Sequence, residues 1–235
     1  MLFIKHGLKW ARTLLLILVI VSVGISTVSF TSKLSMYNEM HPDIRNLTQS
    51  ISDIHSTLKV DSIRQYKIEK ILKIFNRYNK QIPFDKKIEI ANEIYQMSLK
   101  YSNLDIDLIC ATITHESARS WDPNVVSFAG AMGLMQIMPA TGIFLSRDEG
   151  IKWTSADEIL FDPILNIRLG CRYLSSLIHS YDVDGGLAAY NGGEERAALW
   201  LKHNRRNDIL WEETRGYVPA VLKLYEKFQQ DNGIL

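Results

Sequence analysis

Residues 105–116 read DIDLICATITHE and indicate most clearly how this chain folds. Apolar side chains recur there at Ile106, Ile109 and Ile113, which is the spacing of a helix with one buried face. Asp105 stands directly before the first of them, where an N-cap residue belongs. The stretch therefore predicts a helix that begins after Asp105 and packs its apolar face against a core.

The chain on either side of this stretch repeats the helical pattern. One apolar stripe consists of Ile90, Ile94, Met97 and Tyr101. Asp162 followed by Pro163 is a typical helix start, and the glycine pairs within residues 184–186 and 191–193 predict breaks between helices. No segment alternates apolar and polar residues for long, so we expect an all-α domain over residues 82–235.

The composition suits one folded domain with a short appendage. The 235 residues carry 27 Lys and Arg against 26 Asp and Glu, a formal net charge of +1, and 46% of them are hydrophobic. A disordered chain would be less hydrophobic or more strongly charged, and a nucleic-acid-binding protein would show a basic excess. We therefore expect a folded protein that does not bind nucleic acid.

The two cysteines, Cys110 and Cys171, lie in apolar helical patterns. Neither has the closely spaced Cys or His neighbours that a zinc site needs, so we expect no metal and no cofactor. Two small buried hydrophobic side chains are the simpler interpretation. A disulfide bond between them is the alternative if the domain lies outside the cytosol.

An uncharged segment near the N-terminus, residues 13–32, is long enough to cross a bilayer as a helix, because ~1.5 Å per residue gives roughly 30 Å. Lys5, Lys9 and Arg12 precede it, and positive charge tends to stay in the cytoplasm. The pattern predicts a single-pass anchor with residues 33–235 outside the cytoplasm. A cleaved signal peptide is the alternative; the lack of a clear A-x-A cleavage site favours the anchor.

Residues 33–81 separate this N-terminal segment, residues 1–32, from the helical domain. They are polar and mixed in charge, with apolar side chains at helical intervals, so we expect a helical stalk that ends before Pro83. A helix of that length reaches up to ~70 Å from the membrane. The stalk then either sets the reach of the domain or binds a partner in an envelope complex.

Glu116 is the best candidate for chemistry. It lies three residues after Ile113 and seven after Ile109, which places it on the buried face of its helix. Burial favours the protonated form of a carboxyl group, as a general acid requires near neutral pH. The alternative is a structural glutamate that bends to solvent or pairs with His115 or Arg119.

Two other hydrolytic sites are excluded by their spacing. His115-Glu116 would begin the HExxH motif of a zinc protease, but residue 119 is Arg rather than His. Ser117 and Ser127 are available as nucleophiles, but no GxSxG elbow is present.

Two irregular stretches follow Glu116. Residues 130–141 read GAMGLMQIMPAT, in which Gly130 and Gly133 permit a tight backbone and the methionines alone would be core residues. Residues 188–193 read AAYNGG and place an aromatic ring and an amide beside a flexible turn, a common way to hold a sugar.

Three segments together resemble the signature of the soluble lytic transglycosylase (SLT) catalytic domain, a lysozyme-like α fold of the goose-lysozyme type. They are Glu116-Ser117, Gly133-Leu134-Met135-Gln136 and Ala189-Tyr190-Asn191. Flanking residues agree, including Asn166-Ile167 and Glu213-Thr214 with Tyr217. The resemblance covers roughly residues 82–230.

The resemblance implies roles for individual residues. Glu116 matches the single catalytic acid, and Tyr217 matches a tyrosine that helps to orient it. Ser127 matches a serine that contacts the glycan. Positions that line the sugar cleft are matched by Gln136, Met138, Tyr190 and Asn191.

The implied activity is cleavage of the bond between N-acetylmuramic acid and N-acetylglucosamine in peptidoglycan, with 1,6-anhydro ends and no metal. With the anchor, this places the domain outside a bacterial inner membrane, in the periplasm or extracytoplasmic space. A hydrolytic muramidase of the goose-lysozyme type and a non-catalytic wall-binding module are the alternatives. A second carboxylate is not needed, and we expect Asp122 to be a turn residue and Asp148, Glu149, Glu194 and Glu195 to be solvated.

The sequence departs from the family pattern at two turns and one unassigned position. Arg119 and Ser120 lengthen the turn after the acid compared with the commoner family spacing. Gly192-Gly193-Glu194 replaces the usual Ala-Gly-Pro. His115 has no assigned role.

Overall fold

The structure is a computed structural model that describes the backbone of residues 2–231 and the side chains of residues 16–36 and 46–231. It divides into two units, Met1–Asp61 and Ser62–Leu235.

The first unit is helical throughout its described residues and belongs to α1, which runs Leu2–Tyr78. Its segment Leu16–Met36, with a mean hydropathy of 1.8, is long and apolar enough to cross a membrane, a property that signal sequences share. This segment overlaps the predicted anchor, residues 13–32. The side chains of Lys5, Lys9 and Arg12 lie outside the described residues.

The second unit is built from the end of α1 and seven further helices. These are α2 (Phe84–Lys100), α3 (Ile106–Glu116), α4 (Pro139–Asp148), α5 (Ala156–Leu160), α6 (Pro163–Gly192), α7 (Glu194–Lys202) and α8 (Glu212–Gln230). Within residues 2–231 the extended pairing is limited to isolated bridges from Met132 to Val126 and to Ile137. The prediction of an all-α domain is confirmed.

The compact unit starts earlier than the predicted boundary at Pro83. Its first residue is Ser62, and Ile71, Ile74 and Phe75 of α1 are fully buried in its core. The apolar spacing within residues 68–75 therefore belongs to a core helix rather than to a free stalk. The predicted stalk, residues 33–81, therefore extends too far, because residues 62–81 belong to the compact unit.

Helix starts follow the predicted capping pattern. The Asp105 carboxylate accepts a hydrogen bond from the Leu108 N–H, and Asp162 caps α6 with Pro163 at its first position. The predicted break at 184–186 is displaced: α6 kinks at Asp182, whose φ is 59°, and the glycines of 184–186 lie inside the helix that follows. They fit there because their missing side chains allow close packing; a Cβ on Gly186 would lie 2.6 Å from Ile178.

Both cysteines are free and fully buried, as the simpler interpretation predicted. Burial raises the pKa of the Cys110 and Cys171 thiols, which keeps them protonated. They act as small hydrophobic side chains, Cys110 on the helix that ends at Glu116 and Cys171 in contact with Met135.

Candidate active site

Glu116 is the last residue of α3, and its carboxyl group contacts α8. The Tyr217 hydroxyl donates a hydrogen bond of 2.6 Å to its Oε1. The His115 ring packs edge-on against the Tyr217 ring, with centroids 4.8 Å apart, which gives His115 a packing role. Because Tyr217 is buried, its hydrogen bond fixes the direction of the carboxyl group of Glu116, a residue of intermediate exposure.

The surroundings of Glu116 raise its pKa from 4.5 to about 7. Desolvation is the main cause, and the negative charge of Glu213 adds to it, whereas the hydrogen bond from Tyr217 opposes the shift. Desolvation also raises the pKa of the Tyr190 and Tyr217 hydroxyls well above its usual value, and the charge of Glu116 adds to both shifts. Glu116 therefore remains partly protonated near neutral pH.

Glu213 contributes to the site, although the sequence does not place it there. It precedes Tyr217 by four residues on α8, so both side chains lie on one helical face. The sequence shows this spacing, but only the packing of α8 beside Glu116 brings Glu213 close to the carboxyl group.

The turn after Glu116 is closed by hydrogen bonds and by a buried tryptophan. The Ser117 hydroxyl donates to the Ile113 carbonyl and accepts from the Trp121 N–H. The fully buried Trp121 indole donates to the Thr114 hydroxyl at 3.0 Å. The lengthened segment is thus an ordered turn that begins after α3, and its last residue, Trp121, bonds back to α3.

The glycine-rich loop of residues 130–138 is held by Asn166 of α6. The Asn166 amide donates to the Met132 and Leu160 carbonyls, and its oxygen accepts from the Met135 N–H at 2.8 Å. Gly133 has a φ of +80°, and a Cβ there would lie 2.3 Å from Asn166. The close approach of loop and helix therefore requires glycine at this position.

The methionines of the loop lie both in the core and at the surface. Met135 is fully buried, whereas Met138 is 42% exposed. The Gln136 amide donates to the Val125 and Gly133 carbonyls, so it stabilises the loop. The Ser127 hydroxyl accepts from the Ala131 N–H at 3.0 Å and closes the preceding turn.

Tyr190 and Asn191 lie at the end of α6. The Tyr190 hydroxyl donates to the Met135 carbonyl at 2.7 Å, which joins α6 to the loop. The Asn191 oxygen accepts from the Thr214 hydroxyl at 2.7 Å. Its NH₂ donates to no protein group among the described residues and is available to a ligand.

Two open cavities adjoin the segment after Asn191. One, of about 670 Å³, is lined by Gly192, Gly193 and Trp211, among others. The second, of about 530 Å³, is lined in part by Tyr173 and Glu194. The surface is therefore concave at Gly192 and Gly193, which follow Asn191 in the chain.

Two of the other acidic residues near the motifs have structural roles, whereas Asp148, Glu194 and Glu195 are exposed, as predicted. Asp122 accepts from the Asn124 N–H in a turn, as predicted. Glu149 is not solvated: its side chain is only 7% exposed, and it accepts hydrogen bonds from Lys100 and Tyr101. Lys100 is the last residue of α2 and Tyr101 follows it, and the polar sequence around Glu149 does not indicate either partner.

The family model for the transglycosylase SLT domain matches residues 93–210. This is half of the chain, and it includes Glu116, the glycine-rich loop and Asn191. The chain belongs to the transglycosylase SLT domain family. Tyr217 and Glu213 lie beyond the matched residues.

Curated relatives of this SLT domain share about a third of its residues. The soluble lytic murein transglycosylase of Escherichia coli K12 is 33% identical over 141 residues, 56% of this chain and 22% of that protein. Membrane-bound lytic murein transglycosylase D of the same strain is 32% identical over 136 residues, 54% of this chain and 28% of that protein. The chain therefore spans less than a third of the length of these relatives.

Solved structures confirm the lysozyme-like fold of the SLT domain. An inactive glutamate-to-glutamine mutant of the lytic transglycosylase Slt from Pseudomonas aeruginosa matches with a TM-score of 0.52 and 32% identity, covering 59% of this chain and 24% of that chain. The 70-kDa soluble lytic transglycosylase in complex with bulgecin A matches with a TM-score of 0.52 and 31% identity, covering 60% and 24%.

Proposed function

We propose that the protein is a lytic transglycosylase that cleaves peptidoglycan glycan strands, with Glu116 as its single acid and base. The observation that carries the proposal is the Glu116 carboxyl group, which is held by Tyr217 and whose pKa is raised to about 7. Relatives named as lytic murein transglycosylases support the substrate class.

The reaction needs one carboxyl group because the substrate supplies the nucleophile. Protonated Glu116 donates its proton to the oxygen that links N-acetylmuramic acid to N-acetylglucosamine, and the bond from that oxygen to C1 breaks. The C6 hydroxyl of the muramic residue then attacks C1 and returns its proton to Glu116. Proximity of this hydroxyl replaces the second carboxylate of ordinary glycosidases, and no water or metal enters the balance.

The other site residues would position the carboxyl group and the glycan. Tyr217 orients Glu116 through its hydrogen bond. Asn191 has an available NH₂ for a sugar oxygen. The remaining contacts to the glycan are assigned to Ser127, Gln136, Met138 and Tyr190, of which Met138 presents an exposed apolar side chain.

Digestion of isolated sacculi, with the products identified by mass spectrometry, tests the reaction type. Anhydro-muropeptides are the expected products. A hydrolytic muramidase would instead release reducing ends that are about 18 Da heavier, the mass of one water molecule, because water then attacks C1. Products with reducing ends would contradict the proposed reaction and show that the protein is a hydrolase. Sacculi that stay intact would favour a non-catalytic wall-binding module.

The N-terminal segment would place the enzyme at a bacterial inner membrane, with its catalytic domain on the extracytoplasmic side. The apolar segment Leu16–Met36 supports an anchor, and some relatives are named as membrane-bound. Deleting residues 1–61 should move the protein from the membrane fraction to the soluble fraction. Retention in the membrane fraction would contradict anchoring by this segment.

A further inference from the structure

The end of α1 contacts both ends of the helix that carries Glu116. Lys70 of α1 forms a buried ion pair of 2.8 Å with Asp107, in the first turn of α3. Phe75 of α1 packs against Trp121, which follows the end of α3, with ring centroids 4.7 Å apart. The helix that enters the compact unit therefore supports α3 from its first turn to the turn after Glu116.

Asn79 adds a polar contact at the same turn. It follows α1 directly, and its side-chain NH₂ donates to the Ser120 carbonyl at 3.1 Å and the Trp121 carbonyl at 3.4 Å. Its side-chain oxygen accepts from the Gln81 and Ile82 N–H groups. One amide thus joins the turn after Glu116 to the segment between α1 and α2.

The backbone of that turn needs such support. Ala118, Arg119 and Trp121 have φ values of 51°, 62° and 49°, in the left-handed region that residues with side chains rarely adopt. Strained residues persist only where the surrounding structure fixes them. The turn begins at Ser117, immediately after Glu116, so a change in its path alters the direction of the carboxyl group.

We propose that Asn79 is a positioning residue for Glu116, because it holds the carbonyls of Ser120 and Trp121 and with them the strained turn that ends the helix carrying Glu116. Its effect on catalysis rests on the proposed function, whereas its effect on the position of Glu116 does not. The position of Glu116 then depends on a residue that lies outside the region matched to the family, residues 93–210.

Two substitutions in the full chain distinguish the hydrogen bonds that the Asn79 NH₂ donates from those that its oxygen accepts. Asn79→Ala removes all the hydrogen bonds of the Asn79 side chain. Asn79→Asp keeps the acceptor for Gln81 and Ile82 but cannot donate to the turn, because an ionised carboxylate only accepts. The matched control is Asn103→Ala: Asn103 is also partly buried and donates to a backbone carbonyl, that of Ser175 at 2.8 Å, away from the turn.

The measurements are the titration of Glu116 by ¹³C NMR, with labelled glutamate in detergent, and cleavage kinetics on glycan strands. A loosened turn admits water to the carboxyl group, so Asn79→Ala should titrate at least about half a pH unit below wild type. In Asn79→Asp the added negative charge opposes this fall, so the two variants are compared by kcat as well. They should also lose roughly tenfold or more in kcat, with KM changed less than about twofold, because small misplacements of a catalytic group slow chemistry rather than binding. Asn103→Ala should match wild type in both measurements.

Unchanged titration of Glu116 in Asn79→Ala would overturn the proposal, and so would an equal shift in Asn103→Ala. If Asn79→Ala does not fold, the kcat of Asn79→Asp decides, and a kcat equal to that of wild type would overturn the proposal. If wild type cleaves no glycan, the proposed function fails, while the comparison of titrations still decides the role of Asn79.

Discussion

Replacing Glu116 by Gln should reduce the kcat for glycan cleavage by a factor of roughly 10²–10⁴, the contribution of a general acid. Gln has nearly the same size and its oxygen still accepts the hydrogen bond from Tyr217, so the fold should persist. It has no proton to give to the glycosidic oxygen. The release of soluble muropeptides from sacculi measures the loss.

A matched variant separates this chemistry from a general loss of negative charge. Glu226→Gln removes a carboxylate from the exposed face of α8 and should leave kcat unchanged. Activity above about a tenth of wild type in Glu116→Gln would remove the carboxyl group from its assigned role.

The same substitution should stabilise the folded protein at alkaline pH. The folded state holds the Glu116 proton with a pKa of about 7 rather than 4.5, so this contribution to stability is fully present below pH 4.5 and is lost as pH rises to about 7. Gln does not titrate. Urea midpoints should therefore show wild type losing stability relative to Glu116→Gln across that interval, and remaining lower above it.

Deleting residues 1–81 should unfold the domain, whereas deleting residues 1–61 should not. The longer deletion removes Ile71, Ile74 and Phe75, which are fully buried and contribute about 1.5–3 kcal/mol each. It also leaves Asp107 without Lys70, and breaking a buried ion pair costs about 3–5 kcal/mol. The combined loss approaches the roughly 5–15 kcal/mol that stabilises a typical domain.

Thermal unfolding followed by circular dichroism distinguishes the two deletions. The protein that starts at Ser62 should show one cooperative transition and cleave glycan. The protein that starts at residue 82 should lack that transition. Equal melting temperatures would show that the end of α1 is not part of the core.

Local patterns predicted the helices well where one face meets the core. Asp105 and Asp162 cap their helices as expected because capping depends on neighbouring residues. The predicted domain boundary at Pro83 was wrong, because a proline marks the end of a helix but carries no information on which residues belong to the core. Only tertiary packing assigns Phe75 to the core and the residues before Ser62 to the other unit.

The candidate site was predictable to a similar extent. Glu116 and Tyr217 were identified from the sequence, and their hydrogen bond joins residues 101 positions apart. The sequence did not predict the effect of Glu213 on the Glu116 pKa, which depends on how α8 packs against α3. Nor did it predict the hydrogen bonds from Asn79 to the turn after Glu116, which depend on how α1 packs against α3. Gln136 and Ser127 bond to the backbone of their own loops, a detail that residue identity does not reveal.

The pKa of Glu116, measured by ¹³C NMR on the full chain in detergent with Glu116→Gln to assign its signal, tests the central claim most directly. A titration midpoint near 7 is expected, because desolvation and the charge of Glu213 outweigh the hydrogen bond from Tyr217. A midpoint near 4.5 would mean that the carboxyl group is ionised at neutral pH and cannot serve as the proton donor.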